Sequence, residues 1–291
     1  MVKKYSELYL ETRRALMATE DAQTAGFMAR NLLAHFSGKT QEAMLANMDL
    51  YVGDDICQKV ADATARLLEG EPLAYVLGEW EFYGLKLHVD NHVLIPRDDT
   101  VAVAQLAINQ AIFLPENPRI LDLCTGSGCI GLAIASRIKD ARVTLADISK
   151  DALAVAKKNL FSLKFTGRVT CIQADAMKPA PAVLGKFDMI VSNPPYIDSA
   201  DMKTLEKSVV DYEPHLALFG GEDGLDFYRA IAENYTKCLK PGGYLALEFG
   251  EDQCDDICRI LEAHGYTILE RSRDYNDTER AVLAQYGRKE D

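Results

Sequence analysis

The chain has 291 residues, 48% of them apolar, with a net charge of -12 and a pI near 5. That length buries one large core or two modest ones. An acidic balance disfavours binding a polyanion, because nucleic-acid affinity rests on Lys and Arg neutralising phosphates, and no run approaches the roughly 18 apolar residues of a membrane span. The opening Met1-Val2-Lys3-Lys4-Tyr5-Ser6-Glu7 lacks the apolar stretch of an export signal. A cytoplasmic monomer with no direct nucleic-acid and no membrane partner is expected. Seven cysteines without a C-x-x-C pair and five histidines without ligand spacing predict free thiols and no metal.

In chain order, residues 1 to about 70 carry helical spacing, seen in Leu8 and Leu16, then Ala25, Met28 and Leu32, then Ile56, Val60, Ala63 and Leu67. Breaks at Ser37-Gly38, Gly53-Asp54 and Gly70-Glu71-Pro72 make this a small helical bundle, taken as a domain over 1–75. Aromatic and β-branched residues around Gly84 predict a hairpin, placed in a linker over 76–96. A second domain, 97–291, alternates strands and helices: Ile120 to Cys124, Val143 to Asp147, Val169 to Ala174, Phe187 to Ser192 and Tyr244 to Phe249 are short apolar strands. Helical stretches such as Asp151 to Leu163 and Gly224 to Leu239 lie between them. Alternation of this kind means a parallel sheet covered on both faces. Only a short polar connection separates Tyr266 to Glu270 from Ala281 to Tyr286, too little for a crossover helix, so the last strand is expected to run antiparallel. An α/β sheet of seven strands with an antiparallel last member, behind a helical bundle, is the arrangement of class I, Rossmann-like methyltransferases.

Two strand ends carry the chemistry. The first is a strand, glycine loop and helix start, Ile120-Leu-Asp-Leu-Cys-Thr-Gly-Ser-Gly-Cys-Ile-Gly131, whose backbone N–H groups and helix N-terminus suit an anionic ligand group. Asp147, closing the next strand ahead of Ile148, is placed to accept the hydrogens of a ribose diol. Gly126, Gly128 and Gly131 also satisfy a dinucleotide fingerprint, so the loop by itself admits both NAD and S-adenosylmethionine. Two features favour the second: Asp122 before the loop, positioned to approach a cationic amino acid moiety, and the ending of the fourth strand. Asp175 is placed to reach an adenine, or else to cap a helix over 177–184.

That ending is Asn193-Pro194-Pro195-Tyr196, directly after the apolar run Phe187 to Ser192. The prolines cannot donate ladder hydrogen bonds and stop the strand rigidly. The Asn193 amide oxygen and the Pro194 carbonyl are two acceptors for a substrate N–H2 group, and Tyr196 offers a ring to stack on a planar amide or base.

Together these residues resemble the HemK/PrmC protein-(glutamine) methyltransferases, which act on peptide chain release factors. The resemblance spans nearly the whole chain. It is carried by Glu71-Pro-Leu-Ala-Tyr-Val-Leu-Gly78, Glu81-Phe-Tyr-Gly84, Ile95-Pro-Arg97, Leu121 to Gly128, Asn193 to Ile197, Tyr212 to Leu225 and Leu239-Lys-Pro-Gly-Gly243. It implies that Cys124, Thr125, Gly126, Ser127, Gly128 and Asp147 hold S-adenosylmethionine, that Ala176 flanks its adenine, and that Asn193, Pro194, Pro195 and Tyr196 hold the substrate glutamine. It further implies methylation of the Gly-Gly-Gln glutamine of class 1 release factors, with the helical domain recognising them. An adenine amino-methyltransferase shares Asn-Pro-Pro-Tyr and is the alternative. The chain departs from the family in reading Pro96-Arg-Asp-Asp-Thr-Val101 where Pro-Arg-Pro-Glu-Thr-Glu is common, in Cys124 for a glycine, and in Ala176 for a bulkier residue.

Overall fold

The computed structural model describes residues 3–287 and divides into two compact units, split after Gly78. In the first unit, helices α1 (Tyr5–Leu16), α2 (Ala22–Ser37), α3 (Gln41–Ala46), α4 (Asp54–Leu68) and α5 (Leu73–Leu77) are joined by a two-residue antiparallel pairing of β1 (Lys3–Lys4) with β2 (Tyr51–Val52). Helical spacing did not announce that pairing. Helix α2 starts where the Asp21 carboxylate accepts the amides of Gln23 and Thr24, and α3 where the Thr40 hydroxyl accepts the Ala43 amide. The apolar faces meet in a core of Tyr5, Leu8, Leu33, Met44, Val52 and Val60.

The second unit opens with a hairpin of β3 (Glu79–Phe82) and β4 (Leu85–His88). Anticipated in a linker, the hairpin packs into this unit: Phe82 and Leu87 are buried in its core, and Asn159 both accepts the His88 amide (2.6 Å) and donates to the His88 carbonyl (3.0 Å). Helix α6 (Val101–Ala111) follows, then β5 (Arg119–Leu123), α7 (Cys129–Arg137), β6 (Arg142–Asp147), α8 (Lys150–Ser162), β7 (Val169–Gln173) and β8 (Phe187–Ser192). The chain continues through α9 (Lys207–Tyr212), α10 (Asp226–Asn234), β9 (Leu239–Glu248), α11 (Cys254–Ala263), β10 (Tyr266–Arg273) and β11 (Glu279–Tyr286).

The sheet order is β10-β11-β9-β8-β5-β6-β7. Strands β9, β8, β5, β6 and β7 run parallel, and β11 enters antiparallel between β10 and β9. Every residue of β8 is buried, as a strand covered on both faces requires. From β5 the chain winds outward through β6 to β7, then returns to β8 on the other side, so the topological switch lies between the carboxyl ends of β5 and β8. Ligands of open α/β sheets bind there.

Three expected boundaries moved. No α-helix forms over 177–184, because Pro179 and Pro181 interrupt it. Asp175 Oδ1 instead accepts the Met177 amide (2.9 Å) in a tight turn, and only a 3-10 turn, Ala182–Leu184, follows. The helix placed over 224–239 is α10 followed by a 3-10 turn, Thr236–Cys238. Strand β9 begins at Leu239, five residues earlier than its apolar run, since Phe187 pairs with Leu239 before a register shift.

Candidate active site

At the end of β5 the polar groups serve the loop itself. Asp122 is fully buried; its Oδ2 accepts from the Thr125 hydroxyl (2.5 Å) and the Gly131 amide (2.8 Å), while Oδ1 has no partner among the described residues. A Cβ at Gly131 would sit 2.9 Å from Asp122 Oδ2 and run into Leu145, so only glycine lets α7 come this close. Burial pushes the Asp122 pKa up to about 7, against the pull of those two hydrogen bonds.

Asp147 ties the same loop from β6. Its Oδ2 accepts the Gly126 amide (2.9 Å) and its Oδ1 the Ser149 amide (2.9 Å), and burial raises its pKa. The Thr125 amide donates to the Ala146 carbonyl (3.0 Å) and the Gly128 amide to the Thr125 carbonyl (2.8 Å). Three loop amides anticipated as anion donors are thus engaged inside the protein. Each Asp147 oxygen keeps a further lone pair, enough to accept a diol. Cys124 sits at φ 58°, in the left-handed region that glycine occupies without cost, and burial pushes its thiol pKa up.

A cleft of about 260 Å³ opens at the switch point. Cys124, Thr125, Gly126 and Ser127 line it from β5, Asp147 and Ile148 from β6, Asp175 and Ala176 from beyond β7, and Asn193 and Pro195 from beyond β8. The volume is close to the lower end for small-molecule sites. Four anticipated residues lie outside the lining. Asp122 is beneath the loop, and Gly128 faces the core, where an added Cβ would meet Leu132 and Leu145. Pro194 is buried. The Tyr196 ring packs, partly buried, against the second core cluster and beside Gly250, in place of the open platform anticipated for it.

The Asn193 amide N–H2 donates to the Thr100 hydroxyl (3.3 Å), which in turn donates to Glu248 Oε1 (3.2 Å). Glu248, at the end of β9, is buried, and its Oε2 has no hydrogen-bond partner among the described residues. Burial lifts its pKa to about 8; the Thr100 hydroxyl and the Asn193 amide oppose the rise.

The chain after Tyr196 is held by main-chain bonds. Ile197 donates to the Leu218 carbonyl (3.0 Å) and accepts from the Gly220 amide (2.9 Å). At Gly220 a Cβ would lie 2.6 Å from the Tyr196 Cα, so glycine is required for the two segments to touch. Buried Glu213 accepts the Ile95 amide (3.1 Å) and pairs with Arg97, which joins the Ile95-Pro96-Arg97 stretch to the same clamp.

Leu216, within the clamped stretch, and Phe227, beyond it, complete the cleft wall with Leu94 and Pro96. Sequence reading missed Thr100, Leu216, Phe227 and Glu248 as site residues. A signal existed for the first two, since Thr100 sits in the Pro96 to Val101 departure and Leu216 in the Tyr212 to Leu225 segment.

Residues 104–217 match the methyltransferase small domain and residues 7–78 the PrmC N-terminal domain. The release factor glutamine methyltransferase of Clostridium acetobutylicum is 37% identical over 287 residues, covering 99% of this chain and 97% of its own. The chain belongs to the release factor glutamine methyltransferase family. The relative of the same name from Geobacter sulfurreducens is 35% identical over 280 residues, 96% of this chain and 95% of its own. A solved methyltransferase from Pyrococcus furiosus, 18% identical, aligns with a TM-score of 0.53 over 78% of this chain and all of that one, which shows the shared fold.

As a member of the release factor glutamine methyltransferase family, the protein is an enzyme with S-adenosylmethionine as its methyl donor. The cleft fits that donor. Ser127 Oγ is buried in the lining without a hydrogen-bond partner among the described residues, Asp147 has acceptor capacity to spare, and Ile148, Ala176 and Leu216 give apolar contact for a nucleoside. Among the described residues no helix is long and apolar enough to cross a membrane.

Proposed function

We propose that the enzyme methylates the side-chain amide nitrogen of the glutamine in a Gly-Gly-Gln segment of class 1 peptide chain release factors, in support of translation termination. The observation that carries this reading is the polarity of Asn193. With its N–H2 directed to Thr100, the side chain offers its amide oxygen to an incoming N–H2 group. The relatives' name, release factor glutamine methyltransferase, supports a release factor glutamine as the substrate.

An amide nitrogen is a poor nucleophile because its lone pair is delocalised into the carbonyl. Bound S-adenosylmethionine supplies an electrophilic methyl group on a sulfonium. Asn193 Oδ1 accepts one amide hydrogen and favours a pyramidal nitrogen with its lone pair aimed for in-line attack; the second acceptor anticipated, the Pro194 carbonyl, belongs to a buried residue outside the cleft lining. Orientation of this kind lowers a barrier by several kcal/mol. A neutral Asn, unlike a carboxylate, adds no charge that would stabilise the cationic donor in its ground state. Leu216 and Phe227 give the cleft apolar walls.

The first unit is the proposed recognition module for the release factor. Its exposed apolar side chains Leu10, Met17, Phe27 and Tyr51 support that role. Aspartate at Leu10 and Phe27 should raise KM for release factor and leave donor affinity unchanged; an unchanged KM rejects the role.

Incubation with tritiated S-adenosylmethionine and release factor, with a Gln-to-Ala release factor, or with DNA tests the substrate. Label in the first alone is expected. Label in DNA alone would make the protein an adenine methyltransferase.

A further inference from the structure

The roles of Thr100 and Glu248 follow from how many protons the chain of hydrogen bonds holds. Thr100 Oγ1 has one proton and two lone pairs. An ionised Glu248 can only accept, so Thr100 must give it that proton (3.2 Å) and can only accept from Asn193 (3.3 Å). The Asn193 amide then has its N–H2 inward and its oxygen toward the cleft. If Glu248 were protonated and donated to Thr100, the hydroxyl proton would be free to turn to Asn193 and the amide could flip, presenting N–H2 to a substrate N–H2.

We propose that Glu248 is a positioning residue, which through the Thr100 hydroxyl fixes the Asn193 side chain with its oxygen facing the substrate amide. The inference rests on the glutamine reading above for its catalytic meaning, and on the chain's own residues for its geometry. Glu248 is placed for the task because it is buried at a strand end with Oε2 unpartnered among the described residues; burial lifts its pKa to about 8, so the ionised state that fixes Asn193 fills only as pH rises through that value. The charged groups facing it are Asp99, which raises that pKa, and Arg280, which lowers it and lies 3.6 Å from Asp99; the Thr100 hydroxyl and the Asn193 amide also lower it, so Asn193 feels Glu248 directly as well as through Thr100. The phenols of Tyr196 and Tyr228 and the Cys129 thiol also feel its charge. All three of those groups have raised pKa values; Asp122, raised to about 7 and acting on the same Cys129, titrates in the same range as Glu248, and the Glu248→Gln comparison separates the two.

Two measurements on the full-length protein test this. In the first, the side-chain 15N–1H2 signals of Asn193, assigned by their loss in Asn193→Ala, are followed from pH 6 to 9. They should shift along a titration curve in the wild type and stay fixed in Glu248→Gln. In the second, kcat and KM for release factor are measured over the same range. Wild-type kcat should rise on the order of tenfold or more between pH 6 and 9, with its midpoint near 8, and Glu248→Gln should lose that limb. Thr100→Val should lower kcat about tenfold with calorimetric S-adenosylmethionine affinity unchanged, and Thr100→Ser should restore it. Asn193 signals that titrate identically in wild type and Glu248→Gln, or wild-type kcat in Thr100→Val, would overturn the proposal. A wild type that shows the titration yet does not methylate release factor would sink the substrate reading alone.

Discussion

The two strand ends that form the cleft use their polar groups differently. After β5 the carboxylates hold the loop's own groups, Asp122 holding Thr125 and Gly131 and Asp147 holding Gly126 and Ser149, and Asp122 Oδ1 and Ser127 Oγ stay unpartnered among the described residues. After β8, main-chain bonds to Leu218 and Gly220 fix the backbone, and the side chains of Asn193, Thr100 and Glu248 form a short relay with capacity left over. The loop binds by a shape set in advance, whereas the second end keeps a functional group free to act. Substitutions after β5 should therefore alter affinity or stability, and those after β8 should alter turnover.

The largest effect is expected at Asn193. Asn193→Ala should lower kcat on the order of a hundredfold or more with nearly normal calorimetric affinity for S-adenosylmethionine. Equal losses in both would erase the contrast between the two ends.

Asp122 gives a stability effect with a defined sign. Its folded pKa, near 7, lies above its unfolded value of 3.8, so the folded protein holds the proton more tightly. Its contribution is full below about pH 4 and is lost as pH rises through 7. Denaturant titrations should show Asp122→Asn gaining on the wild type between pH 4 and 8, by on the order of 3 kcal/mol. A constant difference across that range would place the Asp122 proton elsewhere.

Asp147→Ala comes next. Losing an acceptor for the ribose and the tie to Gly126 should weaken donor binding by about 1 to 3 kcal/mol. An effect confined to kcat would put Asp147 on the turnover side. The smallest change is Cys124→Gly, which removes a left-handed cysteine and should move stability by about 1 kcal/mol or less, read as a shift in Tm, with kcat unchanged.

The parallel strands were legible in the sequence because each is a short apolar run bounded by turn residues, and the antiparallel last strand because its connection is too short for a crossover. Asp147, Asp175 and Asn193 were legible because a residue at the carboxyl end of a parallel strand faces the ligand edge. Thr100 and Glu248 were not, since 148 positions separate them and only the folded sheet brings them together. Asp122 and Tyr196 were placed in the cleft on their neighbours in sequence. Alternation along β5 turns Asp122 beneath the loop, and the clamp over Gly220 turns the Tyr196 ring toward the core.

The position of β11 bears on how the enzyme is made. Residues 279–286 form an interior strand, inserted between β10 and β9, and Ala281 pairs directly with Glu248. As a chain emerges from the ribosome at roughly 5 to 20 residues per second, β9 presents an open hydrogen-bonding edge until that strand is available. The helical unit has no such dependence, because its last buried residues, Leu73 to Val76, precede Gly78, where it ends. During synthesis the first unit can therefore be folded while the Glu248 end of the catalytic sheet is still unfinished, and chains cut short before Glu279 would expose β9 to pairing with other chains.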